Sequence, residues 1–216
     1  MKPKTDTDLN FLTAVERGEV VSQSTLAQRL GIAVGLINAL LKRAVNKGYV
    51  KVRQAPYKRY AYYLTAKGFA EKSRLVGEYL ESSLQFFRLA RLEYSEIFQR
   101  VRSARQENLV LAGDGELAEI ALLSANAEGV RLRAIIDPAS NQEYRHGVPI
   151  LKSLDLLDTP PDVVILTASK EPQRLYEELR TANPSLAIQV PALLRITPRP
   201  DEQGAPAGMP ETTKEV

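Results

Sequence analysis

Cysteine is missing from this 216-residue chain, which excludes disulfides, thiolate metal sites and thiol-based redox sensing. Histidine occurs once, at His146, in a loop with no acid pair and no Ser/His/Asp set arranged around it. We therefore expect no catalytic residue and no metal site. No apolar run approaches the roughly 18 residues of a membrane span, and Met1-Lys2-Pro3-Lys4-Thr5 does not read as a signal peptide. A cytoplasmic protein is the expectation.

The most informative absence is local. Between Val20 and Ala70 there is no acidic residue, while Arg29, Lys42, Arg43, Lys47, Lys51, Arg53, Lys58, Arg59 and Lys67 supply nine positive charges. A run of one sign on that scale suits a polyanion. The asymmetry extends to whole halves: residues 1–107 carry 19 Lys and Arg against 10 Asp and Glu, and the remainder carries 10 against 16. With 44% hydrophobic and 25% charged residues, the chain has the composition of a soluble protein of one or two domains.

What is present begins with a polar start, Lys2 to Asp8, expected to be frayed. Asp8 is read as the cap of a first helix, Leu9 to about Arg17, that turns Phe11, Leu12 and Val15 inward before Gly18. Ser24 is read as the N-cap of a second helix, because its hydroxyl can take a free amide of the first turn. Gly31 stops that helix, and another runs from about Ala33 to Lys47, ended by Gly48. Ile37, Leu40, Leu41, Ala44 and Val45 form its apolar stripe, which turns Val34, Gly35, Asn38, Ala39 and Lys42 outward. This is the pattern of a helix-turn-helix whose second helix meets base edges. Gly35 and Ala39 allow close approach to the groove, Asn38 can pair with an adenine edge, and Lys42 can reach phosphate or guanine. Val50 to Gln54 and Tyr60 to Thr65 alternate about a proline-containing turn and predict a basic hairpin with Lys58 and Arg59 at its tip. The expected contacts with double-stranded DNA are therefore Ser24, Val34, Gly35, Asn38, Ala39, Lys42, Arg43, Lys51, Arg53, Lys58 and Arg59. Either half alone also occurs in protein-binding domains; their order, with the acid-free run, points to a winged helix on DNA.

Through LAQRLGI, NALLKRAVNKGYVKV, YYLTAKGF and EKSRL, residues 10 to about 105 resemble the MarR-type winged-helix regulators associated with exopolysaccharide operons. The resemblance implies a dimeric, cytoplasmic transcription factor.

Thr65 caps the next segment, which runs to about Arg105 without proline and predicts a long helix, broken at most once. Val76, Leu80, Ser83, Phe87, Ala90, Tyr94, Ile97 and Val101 recur at steps of three and four, the spacing of a helix-pairing seam. Leu75, Tyr79, Phe86, Leu89 and Leu92 make a second stripe. Packing within the monomer is the alternative, and dimerisation is the favoured reading, since two winged helices need a fixed separation to read two half-sites.

From Asn108 the pattern becomes α/β. Strands are expected at 109–112, 130–136, 147–150, 162–167 and 186–190, with helices to about Asn126 and from Pro172 to about Thr181, and a helical turn at 151–157. About five parallel strands covered on both faces follow. The fold class is thus multidomain α/β: a winged-helix domain at 1–65, a helical dimerisation connector at 66–106, a Rossmann-like parallel-sheet domain at 107–197, and a proline-rich tail at 198–216 expected to be disordered.

Gly113-x-Gly115-x-x-Ala118 follows a strand and opens a helix, and Asp137 ends the next strand. That is the context of a dinucleotide fingerprint, in which glycines admit a pyrophosphate and the acid takes ribose hydroxyls. Gly113, Gly115, Ala118, Asp137 and Thr167 are the expected ligand residues. Through GDGELA, IIDP, GVPIL and VVILTAS, residues 109–191 resemble the Rossmann domain of the redox-sensing repressor Rex and the nucleotide-sugar-associated modules of polysaccharide enzymes. NAD(H) or a nucleotide sugar is the implied effector. Asp114 and Glu116 place carboxylates where phosphate would sit and count against it, and an unliganded structural or dimerising domain is the alternative. A homodimeric DNA-binding regulator that is not an enzyme is the reading. A Rossmann enzyme, or an NAD(H)-dependent redox sensor, whose winged helix serves protein contacts is its competitor.

Overall fold

The computed structural model describes residues 3–16, 22–55 and 59–197. The chain divides into two compact units, Met1–Phe86 and Phe87–Val216, and the expected tail at 198–216 lies outside the described residues, as does Gly18.

In the first unit, helix α1 spans Pro3–Glu16 and buries Phe11, Leu12 and Val15 as expected. It starts at Pro3, ahead of the expected Leu9. Pro3 fixes a helical φ at a position where no amide partner is needed, and Asp6 in the first turn suits the helix dipole. Asp8 accordingly lies inside α1, where it pairs with Arg43 instead of capping. Helix α2 spans Gln23–Leu30, and its cap is Ser22, whose Oγ accepts the Thr25 amide at 3.1 Å. Ser24, expected to cap, is an exposed residue of the first turn. Capping from Ser22 still brings Leu26 and Ala27 to the buried face.

Helix α3 spans Val34–Asn46 and is bent by 108° from α2, within the range of a helix-turn-helix. Ile37, Leu40, Leu41 and Ala44 are buried; Val45, expected beside them, falls at the stripe's edge and is exposed. Strands β1 (Val50–Ala55) and β2 (Arg59–Leu64) pair antiparallel from Val50↔Leu64 to Ala55↔Arg59. Thr65 then caps helix α4, accepting the Gly68 amide at 3.0 Å while its hydroxyl lies 2.6 Å from the Gly48 carbonyl. A Cβ on Gly68 would lie 2.1 Å from the Tyr49 carbonyl oxygen, so only glycine fits where α4 crosses that carbonyl.

Helix α4 runs unbroken from Ala66 to Ser103, 38 residues. The expected pairing seam divides along it. Val76 and Leu80 are exposed, while Ala90, Tyr94, Ile97 and Val101 are buried together with strands of their own chain; Leu75, from the second stripe, is buried in the winged-helix core. The C-terminal half of that seam therefore serves the monomer. A buried 3.6-residue stripe and a pairing stripe look alike in sequence, and the apolar faces of the sheet that follows decide between them.

The second unit is a six-stranded sheet in the order β5-β6-β4-β3-β7-β8. Its strands are β3 (Leu109–Ala112), β4 (Leu132–Ile136), β5 (Tyr144–Arg145), β6 (Val148–Leu151), β7 (Val163–Leu166) and β8 (Ala187–Gln189). All pairings are parallel except that of β5 with β6. The extra edge strand was not expected; His146 and Gly147, both at positive φ, form the two-residue turn that creates it. Taken in chain order, the parallel strands lie 3-2-1-4-5, the doubly wound arrangement. α4 and α5 (Glu116–Ala127) contribute to the core on one face, and α6 (Pro172–Ala182) to the core on the other. β7, every residue of it buried, runs between β3 and β8, as its wholly apolar sequence required.

Candidate nucleic-acid interface and sheet-end cleft

The first unit gathers most of the residues expected on DNA. On α3 the side away from the core presents Val34, Gly35, Ala39 and Lys42, all exposed, with Asn38 half-buried. No side chain caps α3, whose N-cap position is Ala33, so its first amides face outward beside a positive helix end. Lys51 and Arg53 are exposed on alternate positions of β1, and Tyr63 stands across from Lys51 in the ladder. Arg43 is placed differently from its expected role: Asp8 of α1 holds its guanidinium, half-buried, so it braces α1 against α3. Lys58 lies outside the described residues, and Arg59 opens β2 with its side chain likewise outside them.

Three features escaped the sequence reading. Tyr60 and Tyr63 are exposed on β2; the Tyr-Ala-Tyr-Tyr run carries the signal but not which tyrosine turns inward, and Tyr62 does. Leu36, on the first turn of α3, is exposed despite its type. Lys47 and Lys67 both approach the Tyr49 ring, at 5.6 and 5.7 Å from its centre, close enough for attraction to the ring face. That contact keeps two cations beside the first turn of α4.

In the second unit a cleft of about 630 Å³ opens at the carboxyl ends of the parallel strands. This is where doubly wound sheets hold ligands, at the point where strand order reverses. Gly113 sits at its floor with φ +107°, and a Cβ there would come within 2.6 Å of the Ala168 amide nitrogen. Both the left-handed conformation and the close approach demand glycine. Gly115 is the N-cap position of α5, which opens toward the cleft with no side-chain cap. α6 opens beside the same cleft, at Glu171 and Pro172, also uncapped.

The remaining expected ligand residues are placed as follows. Ala118 is fully buried in the core, where its small side chain lets α5 lie close to the sheet. Thr167 is buried too; its hydroxyl lies 3.0 Å from the Ala112 carbonyl and 2.6 Å from that of Gly113. It fastens the glycine loop to β7, and the neighbouring Ser169 lines the cleft in its place. Asp137 reaches the cleft wall, but its oxygens already accept three backbone amides: Asp114 at 2.8 Å, Ala139 at 2.8 Å and Ser140 at 3.1 Å. It ties the end of β4 to the glycine loop.

Charge in the cleft is mostly negative and mostly paired. Asp114 is half-buried, with its side chain 4% exposed, and is bonded by Arg145 and by the Ser140 hydroxyl at 2.7 Å. Burial pushes its carboxyl up, but the Arg145 guanidinium and the Ser140 hydroxyl outweigh that and hold it below the usual range. Arg145 also pairs with Glu119, and Arg174 pairs with Glu171 and Glu178. Lys170 lines the cleft and makes no ion pair among the described residues. His146 stands exposed at the β5–β6 turn, and no cluster of His, Asp and Glu able to hold a metal ion occurs among the described residues.

No single helix among the described residues is long and apolar enough to cross a membrane. No curated protein matches the chain. Among solved structures, one titled "PigF with SAH" is similar at 16% sequence identity and a TM-score of 0.29, over 75% of this chain; the match spans 61% of that one. A family model described as winged helix-turn-helix DNA-binding matches residues 4–51. The chain thus joins a winged helix-turn-helix, a long helix and a mixed, mostly parallel six-stranded sheet, and its N-terminal domain suggests a DNA-binding regulator.

Proposed function

We propose that this protein is a homodimeric transcriptional regulator that grips duplex DNA with α3 and the β1–β2 wing, and answers to a small effector in its second unit. One observation carries the DNA reading: the exposed face of α3, with Lys42, and the exposed wing residues Lys51 and Arg53 lie in a stretch of about fifty residues without a carboxylate. A duplex is the partner whose charge this stretch neutralises. Fluorescence anisotropy with a random-sequence duplex at low ionic strength tests it. Binding that weakens steeply with added salt is expected; absence of binding at every salt concentration would end the reading.

Dimerisation is proposed through the part of α4 that its own chain leaves uncovered, where Val76 and Leu80 are exposed and Ser83 is half-buried. For the effector, the strand order, the cleft and two uncapped helix starts support a nucleotide or nucleotide sugar. The paired carboxylates and Asp137, whose oxygens already accept three backbone amides, weigh against the usual ribose clamp. Calorimetric titration with NAD(H) and with nucleoside-diphosphate sugars, followed by DNA affinity with each ligand that binds, tests the effector role. We propose no catalytic activity.

A further inference from the structure

From the first two turns of α3 we infer that this reading head selects thymine methyl groups, so that its site in DNA is rich in A·T pairs with thymine under the start of α3. The inference rests on the DNA-binding reading above and specifies what that same surface reads.

This part of α3 offers the groove few hydrogen-bonding groups. Residues 34–39 are Val, Gly, Leu, Ile, Asn and Ala. Ile37 is buried in the core, and Val34 and Leu36 are each 45% exposed. Gly35 has open space where a Cβ would be, with nothing within 4 Å, and Ala39 is exposed. Only Asn38, half-buried, brings a polar side-chain group to this part of the helix. Polar base edges in the major groove would face Val34, Gly35, Leu36 and Ala39 without a partner, which is costly. The thymine C5-methyl is the one apolar group that the major groove displays. Gly35 and Ala39 let the helix sit close to the groove floor, and Val34 and Leu36 stand on either side of that line of approach, one helical turn being about 3.6 residues. Asn38 would pair with the adenine edge opposite such a thymine. The cations that hold the duplex lie further along, at Lys42 on α3 and at Lys51 and Arg53 on β1, so that phosphate contact and base contact fall to different residues.

Exposed valine and leucine at a helix start also suit a protein partner, but a protein partner needs no stretch of nine cations without an acid around them.

The test selects bound sequences from a random duplex pool with the full-length protein, then replaces thymines of the selected site one at a time by deoxyuridine, which removes the methyl and nothing else. Thymine enrichment is expected, with a loss of about fourfold in affinity for each methyl in contact, the value of burying one such group. The loss should shrink towards onefold in Val34→Ala or Leu36→Ala for the methyl each residue covers; both side chains are exposed, and neither takes part in the core. If the duplex binds tightly but deoxyuridine changes nothing, or the pool enriches G·C pairs, the methyl inference is overturned and DNA binding stands. If no duplex binds, the DNA reading itself falls and the inference with it.

Discussion

At the scale of single residues, Gly113 and Asp114 decide whether the cleft keeps its shape. Gly113→Ala forces a side chain into a left-handed conformation, which costs about 1–2 kcal/mol, and drives its Cβ against the Ala168 backbone, for a further 1–3 kcal/mol. Chemical denaturation should show a loss of roughly 2–5 kcal/mol for that variant; a loss under about 0.5 kcal/mol would mean the loop yields freely. Asp114 gives a pH signature. Its folded carboxyl titrates below the unfolded value of about 3.9, through the Arg145 and Ser140 contacts that overcome burial. The stability it contributes is therefore fully present above that value and is lost as pH falls through the lower, folded one. Asp114→Asn should flatten the stability profile below about pH 4. An unchanged profile would remove Asp114 from the acid transition.

At the scale of elements, α4 holds the second unit through Tyr94. This tyrosine is fully buried, and its hydroxyl donates to the Leu166 carbonyl at 3.0 Å, at the end of β7 and next to Thr167. Burial pushes the phenol well above its ordinary value, with the Glu93 carboxylate adding to the effect, so it stays a protonated donor at all working pH. Tyr94→Phe leaves that carbonyl without its partner and should cost about 1–3 kcal/mol by urea denaturation; a neutral result would mean that water or a shifted loop replaces it. The same helix shows where a sequence stops being legible. The 3.6-residue repeat gave its existence and length, and the alternation from Asn108 onwards gave the parallel sheet. The partner of each apolar stripe was hidden, because Tyr94 and Leu80 carry the same signal in sequence while one lies in a core and the other in solvent. Caps were blurred for a related reason: Ser22 and Ser24 are equally able acceptors, and only the burial of Leu26 and Ala27 together with the reach to the Thr25 amide separates them. In the cleft, the residue types at Gly113 and Asp137 were readable, but the amides that bond Asp137 belong to two loops whose paths no periodicity encodes.

At the scale of the whole molecule, charge is divided between the two halves of the chain, and duplex binding should show it. Lys51 and Arg53 are exposed, so Lys51→Ala with Arg53→Ala should leave thermal unfolding unchanged. The same pair should reduce the slope of log affinity against log salt by about two, since each phosphate contact contributes about 0.9. An unaltered slope would place both residues off the DNA. The division of α4 between two cores has a consequence of another kind. Helices ordinarily fray from their ends inward, yet here the start is pinned by Thr65 and Gly68 and the end by Ala90 to Val101. The stretch between, from Val76 to Phe86, has no buried side chain. Deuterium should therefore enter this helix fastest at its middle; the dimer proposed through this stretch further predicts slower entry there as the protein is concentrated, since a second α4 laid on it would shield the amides beneath, and a rate independent of concentration would count against that dimer.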